Sequence, residues 1–120
     1  MTPTDKRVDF FRAIAFLIGQ LDSEGIKMMP TCFHRTSDEQ LTLYNQGKTK
    51  VLHSKHQDWL AIDLVLVKDG ELVWERTPEY EKAGERWEMV GGVWGGRWKS
   101  LNDIYHFEAS NEKGGEVKGG

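Results

Sequence analysis

Cysteine, long apolar runs and dense basic stretches are scarce in this 120-residue sequence, and each shortage excludes a class of protein. The only cysteine, Cys32, cannot form an internal disulfide, so the fold needs no oxidising compartment. It also cannot build the mostly cysteine site of a structural zinc ion. The apolar stretch from Phe10 to Ile18 is broken by Arg12 and is too short to cross a bilayer. We therefore expect no membrane insertion.

Charge argues against two further classes. The net charge is −3, and no segment carries the Lys/Arg stripe that phosphate binding requires, so no nucleic-acid partner is expected. Asp5 and Asp9 precede the apolar stretch, and no small-residue cleavage site follows it. This predicts cytoplasmic synthesis without a signal peptide.

The length and the 38% hydrophobic content predict a single small domain. We expect residues 1–108 to form this domain. Residues 109–120 end in two Gly-Gly pairs and are expected to be a flexible C-terminal tail.

Local patterns predict alternating helices and short strands. Residues 5–22 have a helical period, with Thr4 as N-cap and Val8, Phe11, Ile14 and Leu21 facing inward. Residues 26–33 are expected to form an edge strand, and the capping box 37–40 is expected to start a helix with Leu41 and Tyr44 facing inward. The Asp69-Gly70 turn predicts a hairpin in which strand 60–67 pairs with strand 72–74. A further helix is expected from Thr77 to about Val90. Residues 91–98 are expected to be a glycine-rich loop, and Trp74 and Trp87 are expected in the core. Together these elements predict an α+β fold, with helices on one face of a small, mainly antiparallel sheet and a metal cleft on the other.

Two short segments carry the residues suited to chemistry. His56 and Asp63 lie seven residues apart, and Asp103 precedes His106 by three residues. Asp63 is the one charged residue in an apolar strand, which is costly unless a cation or metal meets it. Two imidazoles and one carboxylate suit a catalytic zinc ion, because three protein ligands leave one coordination position open. Asp103 can then act as general base.

Spacing alone leaves alternatives open. His56 or His106 taken singly could equally be a hydrogen-bonded histidine near the surface. Arg35 is the candidate donor for a developing oxyanion, since a guanidinium stays charged and offers several N–H groups. A structural or solvated ion pair is an equal alternative for Arg35.

The motifs resemble those of a known family. Ser54-x-His56-x6-Asp63 and Asp103-x-x-His106-Phe107 are similar to the two signatures of the zinc D-Ala-D-Ala carboxypeptidases and L-alanyl-D-glutamate endopeptidases. The segment Trp94-Gly95-Gly96-x-Trp98 resembles the phage endolysin-like branch, and the segment around Arg35 is similar to the family's arginine-containing segment. The resemblance covers roughly residues 30–108.

The resemblance implies roles for individual residues. His56, Asp63 and His106 would be zinc ligands, Asp103 the general base, and Arg35 the residue that positions substrate or steadies the oxyanion. Ser54 would order the motif or touch substrate. Trp94 and Trp98 flank the glycine loop near His106 and are interpreted as a substrate wall, with core packing as the alternative. Trp59 departs from the family pattern, because many members have glycine there.

The activity that the resemblance implies is hydrolysis of an amide bond in peptidoglycan stem peptides. The endolysin-like segment and the missing export signal favour a monomeric phage or prophage lysis enzyme that reaches the wall after a separate, holin-type protein has permeabilised the membrane. An L-alanyl-D-glutamate endopeptidase is favoured slightly over a D-Ala-D-Ala carboxypeptidase. A non-catalytic zinc-bearing wall-binding domain stays open as well, since Hedgehog signalling modules share the implied fold.

Overall fold

The computed structural model describes residues 1–51, 53–100 and 102–110. The secondary-structure elements, in chain order, are α1 (Pro3–Ser23), β1 (Lys27–Cys32), α2 (Ser37–Asn45), β2 (Ala61–Lys68), β3 (Glu71–Val73), α3 (Pro78–Met89), β4 (Val93–Trp94), a 3-10 turn (Gly95–Arg97) and β5 (His106–Glu108). Most of the expected tail, residues 111–120, lies outside the described residues.

A threonine side chain caps the N-terminus of each α-helix in the described ranges. Thr77 accepts a hydrogen bond from Tyr80 N and caps α3, as predicted. Helix α1 begins two residues earlier than predicted, because Thr2 rather than Thr4 forms a capping box with Asp5. Helix α2 begins at Ser37, but its capping box uses Thr36 and Glu39 rather than residues 37 and 40.

The sheet is antiparallel throughout its described pairings. Strand β2 is central: β1 pairs along one side of it, while β5 and β3 pair with its two ends on the other side. Strand β4 extends the sheet beyond β5. Asp69 and Gly70 both have positive φ, 52° and 77°, and form the predicted tight turn of the β2–β3 hairpin.

The hydrophobic core lies between the helices and one face of the sheet. Ile62, Leu64 and Leu66 alternate along β2 and point into it. The helices supply Phe10, Ile14, Leu17 and Leu21 from α1, and Tyr80, Ala83 and Trp87 from α3. The α+β fold is therefore confirmed, and the other face of β2, which carries Asp63, is free of this core.

Several predicted orientations are wrong. Val8 and Phe11 of α1 are more than half exposed, and Phe10 and Leu17 are buried in their place. On α2, Leu41 and Tyr44 face outward while the polar Gln40 is completely buried. Trp74 is 54% exposed rather than in the core, because it lies just beyond the short β3. The predicted loop 91–98 contains β4 and the 3-10 turn.

Trp59 has the backbone conformation of a glycine. Its φ is 62°, a left-handed value that is rare for a bulky residue. Its indole stacks on the imidazole of His34, with ring centroids 4.1 Å apart, and meets the edge of Phe33 at 5.3 Å. The turn therefore keeps the shape that glycine favours, while the indole covers neighbouring aromatic surface.

Among the described helices, none combines the length and the apolar character that crossing a membrane requires.

Candidate active site

Adjacent strands place Asp63 opposite His106. The two residues are direct partners in the β2–β5 register, and their neighbours Ile62 and Phe107 form the adjacent pair. Side chains alternate along strands, so the pair Ile62–Phe107 enters the core while Asp63 and His106 share the opposite face. His106 Nδ1 lies 3.5 Å from Asp63 Oδ1.

A turn before β2 delivers the second imidazole. The buried Ser54 hydroxyl accepts a hydrogen bond from His56 N at 3.1 Å, and Gln57 Oε1 accepts one from Ser54 N at 2.8 Å. The ring of His56 donates from Nδ1 to the carbonyl of Phe33 at 3.2 Å, since a carbonyl can only accept. In the neutral ring Nε2 then carries the lone pair, and it lies 3.4 Å from Asp63 Oδ1.

These contacts fit a metal ion better than they fit hydrogen bonds. His56 Nε2 and Asp63 Oδ1 are buried and have no hydrogen-bond partner among the described residues. Orphaned buried polar atoms are costly, and each usually has a partner. Ligand atoms about 2.0–2.1 Å from a tetrahedral zinc ion lie about 3.3 Å from one another. The distances from Asp63 Oδ1 to His56 Nε2, 3.4 Å, and to His106 Nδ1, 3.5 Å, match that spacing, and the two imidazoles lie on either side of this oxygen with ring centroids 5.0 Å apart.

Contacts among the clustered residues shift their pKa values. Burial, the largest influence on Asp63, raises the pKa of its carboxyl, but the contacts with His106 and His56 outweigh it and lower the pKa below the ordinary value. Burial also lowers the pKa of His56, yet Asp63 and Cys32 raise it to about 9. The pKa of His106 is raised in the same way, against burial, by Asp63 and Glu108. The neighbouring carboxylates thus favour protonated imidazoles, and a metal cation would compete with these protons for the ring nitrogens.

Asp103 lies beside the three converging residues. Its carboxylate, an Asp63 oxygen and a His106 ring nitrogen all lie within 4.8 Å of one another. Tyr105 N donates to Asp103 Oδ1 at 3.2 Å. Burial first, and the charge of Asp63 second, raise the pKa of Asp103. A raised pKa makes a carboxyl better able to hold and then donate a proton.

Arg35 reaches the site from the loop after β1. Its Nη2 lies 3.6 Å from Asp63 Oδ2, and its Nη1 donates to Gln40 Oε1 at 3.1 Å. Gln40 is completely buried and donates in turn to the carbonyl of Val51 at 2.7 Å. Helix α2 therefore positions the guanidinium through Gln40, whose role was not predicted from the sequence.

The three predicted substrate-contacting residues fall in different places. Ser54 is 1% exposed, so its observed role is to order the turn that carries His56. Trp94 is completely buried, and its Nε1 donates to the carbonyl of Ile104 at 2.8 Å, which favours the core-packing alternative over a substrate wall. The ring of Trp98 does lie at the site, 4.9 Å from that of His106.

Cys32 and Glu108, which were not predicted as site residues, border the ligand cluster. Cys32 Sγ lies 3.8 Å from His56 Nδ1. Cys32 also pairs with Asp63 across the β1–β2 register. Glu108 is completely buried and contacts His106. Strand alternation is the signal that could have found Glu108, because residues 106 and 108 share a face.

The fold and the site together define the class of protein. It is an α+β domain in which two imidazoles and a carboxylate converge on the sheet face opposite the core, next to a second carboxylate. Residues 47–109 match the model of a family described as D-alanyl-D-alanine carboxypeptidase. That match covers more than half of the chain, and the chain belongs to this family.

Two curated relatives carry names of one activity. A peptidoglycan L-alanyl-D-glutamate endopeptidase, CwlK from Bacillus subtilis, is 33% identical over 104 residues, covering 72% of this chain and 62% of the relative. An L-alanyl-D-glutamate peptidase from a Listeria phage is 28% identical over 94 residues, covering 77% of this chain and 34% of the relative. The chain therefore spans less than two thirds of the length of either.

Solved structures show the same fold. The L-Ala D-Glu endopeptidase ChiX from Serratia marcescens superposes with a TM-score of 0.70 at 25% identity, covering 85% of this chain and 78% of that one. A variant of the vancomycin resistance D,D-pentapeptidase VanY, solved in complex with Zn(II), gives a TM-score of 0.62 at 14% identity over 85% of this chain and 71% of that one.

Proposed function

We propose that this protein is a zinc peptidase that hydrolyses an amide bond in the stem peptides of peptidoglycan. The observation that carries the proposal is the convergence of His56 Nε2, Asp63 Oδ1 and His106 Nδ1, two of them orphaned, beside the carboxylate of Asp103. The names of the relatives supply the substrate class.

The three converging atoms would hold the ion. Their residue types, two imidazoles and a carboxylate, are those of catalytic rather than structural zinc sites. A bound zinc ion supplies Lewis acidity, which makes water a better nucleophile and polarises the carbonyl of the substrate. His56 is oriented by Phe33, and Asp63 and His106 are held by the β2–β5 pairing.

Asp103 moves the proton. Its carboxylate accepts a proton from the water whose oxygen attacks the carbonyl carbon. It then donates that proton to the amide nitrogen as the C–N bond breaks, which leaves a carboxylate and an amine. The raised pKa of Asp103 suits a group that must both accept and donate.

Arg35 and Trp98 would handle the substrate. The guanidinium of Arg35 lies close to the ligand carboxylate and is braced by Gln40, so its N–H groups can orient a substrate carbonyl or carboxylate. Trp98 is partly exposed next to His106 and offers an aromatic wall to the peptide.

Cleavage between L-alanine and D-glutamate is the favoured activity, because three relatives carry that name. The family description favours a D-Ala-D-Ala carboxypeptidase as the second candidate. The phage relative supports a role in phage or prophage lysis. In that role we expect a monomer that acts on the wall once a holin-type protein has opened the membrane.

The decisive experiment combines product analysis with a base variant. Purified cell walls are digested, and the fragments are identified by mass. New N-terminal glutamate indicates the endopeptidase, and free D-alanine indicates the carboxypeptidase. The variant Asp103→Asn should lose roughly 10²–10⁴-fold in rate and keep its zinc in elemental analysis.

Matched ligand variants complete the test. His56→Ala and His106→Ala should lose both zinc and activity, because each removes one of three ligands. An Asp103→Asn protein that lyses walls at the wild-type rate with zinc bound would contradict the mechanism. Zinc binding without any hydrolysis by the wild type would indicate the wall-binding domain instead.

A further inference from the structure

A buried carboxylate lies behind the candidate metal site. Glu108 is 0% exposed and follows His106 by two residues on β5, so both side chains are on the same face of the sheet. A buried charge is costly unless it is paired and hydrogen-bonded. The contacts of Glu108 show what it is paired with.

Each oxygen of Glu108 has a different partner. Oε1 lies 2.7 Å from His106 Nε2, the ring nitrogen that points away from Asp63. Oε2 lies 3.1 Å from Lys55 Nζ. Oε2 has no well-directed hydrogen bond among the described residues, so its contact with Lys55 is an ion pair. Lys55 also donates to the carbonyl of Ala109 at 2.7 Å.

We propose that Glu108 is a positioning residue for the metal site: it accepts a hydrogen bond from Nε2 of His106 and so leaves Nδ1 as the ligand atom. This inference rests on the ligand role proposed for His106. An ionised carboxylate accepts hydrogen bonds only, so the hydrogen between the two groups belongs to the ring. In the neutral ring, which is the form that binds a metal ion, Nδ1 is therefore the unprotonated nitrogen.

Lys55 connects Glu108 to the segment that carries the other imidazole, His56. It precedes His56 in the turn, and it spans from that turn to Glu108 and Ala109 at the end of β5. The two ligand-bearing segments are thus tied together by Lys55 and Glu108 as well as by the sheet. The charge of Lys55 also offsets the charge that Glu108 brings into the interior.

A merely structural ion pair elsewhere in the fold provides the control. Lys68 and Glu79 form a 2.7 Å pair that joins the end of β2 to α3. This pair contacts none of the proposed ligands in the described part of the chain. Glu79→Gln therefore removes one carboxylate charge from a Lys–Glu pair without touching the site.

The test measures zinc affinity and zinc-free stability separately on the full chain. Wild type, Glu108→Gln and Glu79→Gln are stripped with chelator and then titrated with zinc against a chromophoric competitor. The neutral amide that Glu108→Gln introduces keeps the volume of the side chain, but it can turn its NH₂ toward Nε2 of His106 and reverse the tautomer. We expect Glu108→Gln to bind zinc roughly 10–100-fold more weakly and Glu79→Gln to bind as the wild type does. The Co²⁺-loaded proteins should show an altered visible absorption spectrum for Glu108→Gln alone.

Each outcome decides the matter. If Glu108→Gln binds zinc within about twofold of the wild type, the inference is overturned and the proposed function stands. A fall in zinc-free stability with unchanged zinc affinity would also overturn it. If the wild type binds no zinc, the proposed function fails and takes this inference with it. Should Glu108→Gln not fold, the double variant Lys55→Met/Glu108→Gln, which leaves neither charge of the pair, undergoes the same titration with the same expected loss.

Discussion

Gly95 is the residue at which one methyl group should disturb the site most selectively. A Cβ added there would lie 2.4 Å from the backbone oxygen of Asp103, 3.0 Å from His106 Cβ and 3.3 Å from Asp103 Cβ. Gly95 is buried, and its own carbonyl accepts a hydrogen bond from Asp103 N at 3.1 Å. The added methyl group of Gly95→Ala would therefore clash with the proposed base, Asp103, and crowd the proposed ligand His106.

The size of the effect follows from these distances. Contacts under 3.0 Å are essentially never made by a Cβ, so the backbones of Gly95 and Asp103 must move apart by at least 0.6 Å, the difference between 3.0 and 2.4 Å. Overpacking of this kind costs about 1–3 kcal/mol, or roughly 4–15 °C in melting temperature for a chain of this length. A 1 Å misplacement of a reacting group can cost about 100-fold in rate, so we expect turnover to fall about 10–100-fold.

Gly19→Ala is the matched control. Gly19 lies within α1, and an added Cβ there meets nothing within 4 Å. This variant should gain about 0.5–1 kcal/mol from the better helix former and keep its activity. Melting temperature is measured by calorimetry on zinc-loaded protein, and rate by clearing of a cell-wall suspension. A Gly95→Ala protein as stable and as fast as the wild type would refute the packing argument.

Two further predictions concern stability. In chelated protein the pKa of His56 is raised to about 9 from its ordinary 6.5. The protonated ring therefore adds stability that is complete below pH 6.5 and is lost as the pH rises through about 9. The urea midpoint should fall between pH 6 and pH 9.5, and a midpoint that does not change with pH would contradict the raised pKa of His56. Trp59→Gly should change the free energy of unfolding by less than about 1 kcal/mol. Glycine relieves the left-handed backbone, which stabilises the fold by about 1–2 kcal/mol. This gain is offset by the lost stacking, about 0.5–1.5 kcal/mol, and by the entropy of the added glycine, about 0.5–1 kcal/mol. A loss above about 3 kcal/mol in urea titrations would show that the indole supports the fold.

The elements with strong local signals were predictable from the sequence. Strand β2 alternates, the Asp69-Gly70 turn requires positive φ, and Thr77-Pro78 marks the start of α3. These signals depend on residues close in sequence, so no tertiary information was needed. The separation of the site from the core also followed, because period-two alternation assigns Asp63 and its neighbours to opposite faces.

Features that depend on tertiary partners were not predictable. Helix α1 carries apolar residues on more than one side, so its period could not decide between Phe10 and Phe11. The burial of Gln40 depends on Arg35 and Val51, which contact it from other segments. Trp94 is buried because Gly84 and Gly96 leave room against its ring, a fit that spacing does not reveal.

The candidate site was predictable in its composition but not in its geometry. The two motifs predicted that His56, Asp63, His106 and Asp103 lie close together, and they do; the roles assigned to them stay predictions. The choice of ring nitrogen at each histidine depends on Phe33 and Glu108, and those contacts arise only once the strands have paired.

The irregular outer strand of the sheet has a consequence for association. Strand β1 pairs on one side with β2, and its register shifts between Pro30 and Cys32. Proline offers no N–H, and a bulge bends the strand, so a foreign chain cannot continue an unbroken ladder along this edge. Concentrated protein should accordingly resist aggregation through the free edge of β1. Light scattering should therefore show more association for Pro30→Val than for the wild type.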